Sequence, residues 1–296
     1  MSTLNTTTVA TRPTTLNNTT DVGKSYFETD SNKVLVWDGT GWNEWNADLV
    51  LTPGFNNNYS ADLDGSDDYL DLGSSTYFDT STALTVSGWV TLDTFTSYPI
   101  FCSLKTSTST GWKIGFSQQS GYDTVFMGSN SNFAKLKGGS TQLQSDLVSD
   151  WQHIAVTYNG SGATTAGNYK LYVNGSEQTL SASGAFATTS NVSYIGRDSG
   201  GNYLNGQIDE FSIFSSELTG QQVSDIYNSG VGAVDISSLN PLAWWRMGDT
   251  GTEGSSGSST ISNAASGTNS LGSSADATWQ NGTSGNTSPT YSTDAP

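Results

Sequence analysis

Read as a sequence alone, this chain of 296 residues predicts an all-β protein. The expected architecture is a two-sheet antiparallel jelly-roll sandwich with one short helix, preceded by a small β-meander. Three observations predict it. Apolar and polar residues alternate through most segments between residues 55 and 214, as they do in strands with one buried and one wet face. Those segments are punctuated by turn residues at short intervals, with Asn-Gly at 174–175 the clearest hairpin signal. Only one stretch, 215–230, carries a helical period.

Taken in order, residues 1 to about 20 are Thr- and Asn-rich without period, and by themselves would be disordered or ordered only by a partner. "KSYFETDSNKVLVWDGTGWNEW" (24–45) reads as short strands turning at "TDSN" and "DGTG". It is rich in Tyr26, Phe27, Trp37, Trp42 and Trp45 but too small to be stable unaided. These two stretches make a first module, 1–48, in which the five aromatics are the expected anchoring residues. The second, 49–296, contains the strand-dense region. In its helix, Thr219 is the expected N-cap, Val223, Ile226 and Tyr227 form the apolar stripe, and Gly230 ends it. The segment "NPLAWWRMGD" (240–249) stands in a Ser/Gly/Thr/Asn-rich surround, and its adjacent tryptophans argue for a strand, one ring buried and the other on the opposite face. Residues of about 240–285 are therefore expected to complete the sandwich. Trp89, Trp151, Trp244 and Trp245 are the expected core tryptophans.

Charge bounds the partners. Only 12% of residues are charged, and 10 Lys plus Arg against 27 Asp plus Glu give a net charge of −17. Such a chain is repelled by phosphate, so neither nucleic acid nor an anionic membrane is an expected partner. No apolar run is long enough for a membrane-spanning helix, and the first residues lack the basic start and apolar core of a signal peptide. The lone Cys102, in "PIFCSL", is expected as a buried strand thiol. The uncharged polar surface looks extracellular while the targeting looks cytosolic.

The ordered motifs "SADLDGSDDYLDLG", "ALTVSGWV", "WQHIAVTYNG", "KLYVNG" and "YIGRDSGGNYLNGQIDEFSIFSSELTGQQVSDIYNSG" resemble the laminin-G-like, concanavalin-A-like lectin/glucanase domains over roughly residues 55 to 230. The resemblance implies two curved antiparallel sheets packed face to face. In those domains a strand like "LAWWRM" precedes the "LDGSDDYLDLG" motif, whereas here it follows the helix, so the order looks circularly permuted. Separately, "RPTTLNNTTDVGKSYFETDSNKVLVWDGTGWNEW" resembles a module of tailed-phage structural proteins of the marine type. This second resemblance implies a virion protein, made in the host cytoplasm without a signal peptide and working on the virion surface.

Catalysis by this fold would need two facing carboxylates, about 5 Å apart in a retaining glycosidase. The six glutamates (Glu28, Glu44, Glu177, Glu210, Glu217, Glu253) show no such spacing, and Asp209–Glu210 and Asp67–Asp68 are adjacent pairs whose side chains diverge on a strand. His153, the only histidine, lies inside a strand motif and reads as structural. No enzyme is expected. The aspartates of "DLDGSDDYLD", Asp62, Asp64, Asp67 and Asp68 with Asp71, are oxygen ligands of a kind that suits Ca²⁺, and the lectin-like resemblance favours one. Turn capping, in which the same aspartates bond backbone N–H groups, is the reading placed slightly ahead of the metal. Trp112, Tyr122, Asn130, Asn132 and Tyr203 are aromatic or amide candidates for glycan contact. The function expected first is a non-enzymatic phage virion structural protein, a capsid decoration or a fibre or tail appendage. Its partners would be the major capsid or tail protein and further copies of itself. A carbohydrate-binding adhesin recognising a host surface glycan comes second, and a glycoside hydrolase third.

Overall fold

The computed structural model describes residues 5–7, 25–28, 33–37, 42–44, 57–73, 82–95, 98–105, 111–119, 122–129, 132–136, 142–162, 165–182, 192–232, 234–249, 259–281 and 290–296. The chain divides into two compact units, Met1–Pro53 and Gly54–Pro296.

In the first unit, β2 (Ser25–Glu28), β3 (Lys33–Trp37) and β4 (Trp42–Glu44) form an antiparallel meander, with Tyr26 opposite Leu35 and Trp37 opposite Trp42. A fourth strand, β1 (Asn5–Thr7), adds in parallel to the open edge of β2. It comes from the stretch in which the sequence shows no period. Thr is a good strand former, and the unpaired edge of β2 supplies the partner that three residues cannot supply for themselves. Trp45 lies outside the described residues, as do the side chains of Tyr26, Phe27, Trp37 and Trp42.

The second unit is a sandwich. Its strands in order are β5 (Ser60–Asp64), β6 (Asp68–Asp71), β7 (Leu84–Leu92), β8 (Ile100–Lys105), β9 (Gly111–Gln119), β10 (Tyr122–Ser129), β11 (Asn132–Leu136), β12 (Gln152–Tyr158), β13 (Tyr169–Val173), β14 (Ser176–Gln178), β15 (Leu180–Ala182), β16 (Tyr194–Ile195), β17 (Asn205–Phe214), β18 (Ala243–Trp245), β19 (Thr260–Ile261), β20 (Ala277–Asn281) and β21 (Tyr291–Ser292). One sheet runs β15-β11-β10-β9-β8-β16-β6-β20-β19, and the other runs β14-β13-β12-β7-β17-β5-β21 with β18 also paired to β17. The Asn-Gly hairpin joins β13 to β14 with both turn residues at positive φ, 48° at Asn174 and 72° at Gly175, which the primed two-residue turn demands.

Two short α-helices occur among the described residues. The helix expected at 215–230 is α2 (Gly220–Tyr227), closed at its start by a reciprocal capping box between Thr219 and Gln222. It ends at Asn228, which takes the left-handed cap conformation two residues before Gly230. The other, α1 (Gln142–Ser149), lies in a polar stretch in which only Leu143, Leu147 and Val148 are apolar, too sparse a stripe to read as a helix. Leu147 is buried in the core.

The core lies between the sheets. Leu70, Cys102, Leu104, Ile114, Phe116, Ile195 and Trp279 come from the first sheet, and Val86, Val90, Ile154, Val156, Ile208, Phe211, Ile213 and Trp245 from the second. Gly88 is needed there, because a Cβ would meet Phe101 at 3.1 Å and the Phe211 backbone at 3.2 Å. The alternation predicted one wet face, yet β7, β12 and most of β17 are buried on both faces. The outer face there is covered: the Tyr227 ring of α2 packs tilted against Trp89 and His153, at 5.7 and 6.1 Å, while Val234 and Ile236 line a small cavity together with Trp89 and Trp244. Polar outward positions are therefore bonded internally, Thr85 to Ser216 and Leu218, and Ser87 to His153.

This covering decides the tryptophans. Trp245 points into the core and Trp244 to the opposite face, but both are buried, at 1% and 2% exposure. Trp89 is buried in the same outer layer as Trp244. Trp151, expected in the core, is only half-buried. It precedes β12, at the junction with α1, where its backbone N–H donates to the Asp150 carboxylate at 2.9 Å. Trp279 instead fills the core from β20.

A chain ending at Gly232 loses β18 to β21, uncovering the edges of β17 and β6. It should be insoluble or lack a cooperative melt, and a soluble, cooperatively melting product would show that these strands are dispensable. Trp279→Ala should lower stability by about 3–5 kcal/mol, as read from denaturant midpoints.

Candidate functional site

β17 pairs with β7 along one edge, while its other edge is shared: residues 205–208 pair with β5 and residues 211–213 with β18. Where the partner changes, the register against β7 shifts between Asp209 and Ser212, and Glu210 adopts φ 46°. Two carboxylates fill this break. Asp209 accepts from the Glu210 N–H (2.7 Å) and from Asn57 Nδ2 (2.8 Å), so it fixes the lead into β5. Glu210 accepts from Trp244 Nε1 and from Arg246 Nε (3.1 Å), so it fixes β18. Burial raises the pKa of both carboxyls, and Arg246 opposes the rise at Glu210. This acidic pair is thus buried and committed to structural bonds. His153 is equally sequestered: buried, with Nε2 2.8 Å from Ser87 Oγ, it has its pKa lowered to about 3 by desolvation. Burial likewise pushes the Cys102 thiol far above its ordinary range.

The acidic turn between β5 and β6 brings Asp64, Asp67 and Asp68 together, with carboxylate oxygens within 4.8 Å of one another. Asp64 Oδ1 accepts the backbone N–H groups of Ser66 (2.8 Å) and Asp67 (3.1 Å), so turn capping operates here. Asp62 lies outside the group, because its register partner across β17 is Gln207, whose amide donates to it at 2.8 Å. Asp71 caps Gly73. Capping leaves a remainder: Asp68 is 4% exposed, and its Oδ1 accepts no hydrogen bond. Burial, then the Asp64 charge, raises its pKa to about 6. A buried, unpartnered carboxylate oxygen beside two further carboxylates fits a hard cation such as Ca²⁺.

A third cluster lies on the outer face of the nine-stranded sheet. Alternation turns Leu70 and Ile195 inward and Tyr69 and Tyr194 outward, and the β6–β16 register sets those two rings 4.9 Å apart, edge to face. The loop after β16 returns through an isolated bridge between Arg197 and Tyr203. Its anchor is Asp198, which accepts from Gly200 N–H, from Asn202 N–H and side chain, and from Lys113 Nζ at 2.7 Å in a buried ion pair. Burial works to raise the Asp198 pKa, but the Lys113 and Asn202 hydrogen bonds outweigh it and hold it below the ordinary value. On this anchor the Arg197 guanidinium sits 4.5, 4.9 and 4.8 Å from the ring centres of Tyr69, Tyr194 and Tyr203. It donates from Nε to the Asp198 carbonyl and from Nη1 to Tyr203 Oη. All four residues are half-buried and keep part of their surface open.

Of the residues expected to contact glycan, Tyr203 belongs to this cluster. Asn130 lies outside the described residues, as do the side chains of Trp112, Tyr122 and Asn132. Tyr69, Tyr194 and Arg197 were missed by sequence reasoning, although "DYLD" and "YIGRD" are both tyrosines flanked by inward-facing aliphatics. What joins them is the pairing of β6 with β16, more than 120 residues apart, which local pattern does not report.

The two packed antiparallel sheets define a jelly-roll β-sandwich. Residues 64–224 match the model of the concanavalin A-like lectin/glucanases superfamily, and the chain belongs to that superfamily. Among solved structures it is similar to a candidate carbohydrate-binding protein from Bacteroides ovatus, at 19% identity and TM-score 0.54, over 81% of this chain and 61% of that one. It is also similar to a heptameric SAP-like pentraxin from Limulus polyphemus, at 12% identity and TM-score 0.40, over 58% and 82% of the two chains. A third similarity is to domain 4 of a GH43 extracellular arabinanase from Geobacillus stearothermophilus, at 21% identity and TM-score 0.36, over 49% and 66%. No curated protein matches the chain by sequence.

Glu210→Ala would leave the buried Arg246 and the Trp244 N–H without their acceptor and should destabilise the chain by about 3–5 kcal/mol in denaturant titration. Asp209 makes the opposite pH prediction from a surface carboxylate. Its folded pKa is raised, so the stability it contributes is complete below the ordinary carboxylate range and is lost as pH rises through the raised value. Asp209→Asn should therefore raise the melting temperature more at pH 8 than at pH 4. An equal effect at both would show that Asp209 does not titrate with folding.

Proposed function

We propose that the sandwich is a non-catalytic saccharide-binding module carried on a phage particle. The observation that carries the binding reading is the set of three half-exposed tyrosine rings fixed around Arg197 by a buried ion pair. Pyranose rings present apolar C–H faces that lie against tyrosine faces, while hydroxyls take hydrogen bonds from a guanidinium edge. A platform whose side chains are already held loses little rotamer entropy on binding. The non-catalytic part is supported by the acidic residues. Asp209 and Glu210 are buried in structural bonds, and Asp64, Asp67 and Asp68 are gathered on one turn rather than facing one another across a cleft.

The particle context is supported by the "YFETDSNKVLVWDGTGW" motif, whose segments form the meander β2–β4. In this reading the first unit anchors the chain to the major capsid or tail protein as a decoration or appendage component, alongside further copies, and the sandwich faces outward. The permuted strand order is supported by β18, β20 and β21, which complete the two sheets although they follow the matched residues 64–224. The acidic turn is proposed as a calcium site held by Asp64, Asp67 and Asp68. Bound there, the cation would neutralise crowded carboxylates and tie the β5–β6 turn.

On a glycan array, full-length protein should bind a subset of saccharides, and the Tyr69→Ala, Tyr194→Ala double variant should lose that signal about tenfold or more. Unchanged binding by the variant would remove the platform from the reading. Mass spectrometry of purified particles should find the protein, and deletion of residues 1–48 should remove it from them. Normal occupancy after the deletion would place the anchor elsewhere.

In thermal melts, chelator should lower the midpoint by roughly 5 °C or more relative to millimolar calcium, and Asp64→Ala should erase the difference. Identical melts of the parent protein with calcium and with chelator would leave turn capping as the whole role of these aspartates.

A further inference from the structure

We infer that the ligand of the tyrosine–arginine platform is a saccharide unit bearing a carboxylate, with Arg197 as its counter-charge. The inference rests on the saccharide-binding reading above and adds the charge of the ligand.

Cations are scarce in this chain, 10 against 27 acidic residues, and the buried ones are spent on internal ion pairs: Lys113 on Asp198 and Arg246 on Glu210. Arg197 differs from both. Its hydrogen-bond acceptors are a main-chain carbonyl and a phenol oxygen, neither of them an anion, and no carboxylate among the described residues lies within ion-pair distance of it. Three rings hold the guanidinium half out of water, which weakens its hydration without neutralising its charge. A guanidinium has five N–H donors, and the two bonds just named leave three. Two of the three sit on Nη2, which makes no hydrogen bond and is not buried, so they are open to solvent. A partly desolvated, positioned and unneutralised guanidinium edge is complementary to a carboxylate, which it binds through two parallel N–H···O bonds.

The rest of the molecule limits what that anion can be. At a net charge of −17 the surface repels a polyanion at long range, so a small, locally placed charge is favoured over a nucleic acid or a densely sulfated chain. The rings supply the second requirement, an apolar surface beside Arg197 against which a pyranose can lie while its ring-borne carboxylate meets the guanidinium. Uronic and sialic-type acids have this combination of apolar ring face and ring-borne carboxylate.

Calorimetric titration of the full-length protein with three probes tests the inference: an oligogalacturonate, the same oligomer as its methyl ester, and a sulfated neutral oligosaccharide of equal length. The acid should bind about ten- to a hundredfold more tightly than the ester, and the preference should shrink as salt is added. Arg197→Gln should bring acid and ester to equal affinity, and Arg197→Lys, which keeps the charge but not the planar fork, should fall between. Equal binding of acid and ester by the parent protein would overturn the carboxylate assignment and leave the saccharide-binding reading intact, as would a preference for the sulfated probe. Failure to bind any probe, together with a silent glycan array, would overturn both. The comparison of acid with ester uses the parent protein, so it stands even if an Arg197 variant misfolds.

Discussion

The break in β17 is the constraint on which most of the second unit depends. A strand edge can pair with only one neighbour at each position, and β17 must hold β5 with its first half and β18 with its second. At the changeover the backbone shifts register and Glu210 is forced to a positive φ, a conformation costing of order 1–3 kcal/mol in a residue other than glycine. Asp209 and Glu210 offset that cost by turning the break into two clamps. Asn57 is fixed on one side, and Trp244 and Arg246 on the other. Two buried carboxylates with one arginine between them are a poor source of net stability by themselves. Their value here is that they specify which segment lies against which half of the strand.

From that clamp the C-terminal strands fall into place. With β18 seated, Trp245 enters the core beside Phe211 at 5.9 Å, and Trp244 lies over the outer face, where Trp89, Ile226, Val234 and Ile236 surround it. The chain then crosses to the other sheet, where β20 pairs with β6 and inserts Trp279, and returns through β21 to the free edge of β5. The outer face of one sheet is thereby roofed at β7, β12 and β17. The other sheet keeps an exposed stretch of outer face, and that is where the tyrosines and Arg197 stand.

A sparingly charged protein shows where its charges are needed. Lys113 and Asp198 make a buried pair whose product is the shape of a seven-residue loop, and the loop in turn fixes Arg197 among the rings. Arg246 and Glu210 do the corresponding work at the C-terminal strand. The acidic turn instead gathers carboxylates of like charge, and the buried Asp68 oxygen is left over once backbone capping has been satisfied. Each cluster joins side chains that the sequence separates, except the turn, where Asp64, Asp67 and Asp68 are already neighbours.

What the sequence determined by itself was whatever depends on near neighbours. Period-two alternation, Asn174-Gly175 and the Thr219–Gln222 cap are local chemistry, and they specified the strands, the hairpin and α2. Local proximity likewise pointed to the aspartate turn, and side-chain alternation pointed to opposite faces for Trp244 and Trp245. Tertiary structure decided the rest. Whether an outward face is wet depends on what lies over it, so the burial of Trp244, Ser87 and His153 followed from α2, Val234 and Ile236. The half-exposure of Trp151 followed from its place at the end of a strand. β1 exists because β2 offers an edge, and Asp62 left the acidic group because Gln207 lies opposite it. The tyrosine–arginine face was legible only through Tyr203, since Tyr69 meets Tyr194 and Arg197 through a strand pairing that closes a loop of more than a hundred residues, and no local pattern encodes which distant strand will be the neighbour.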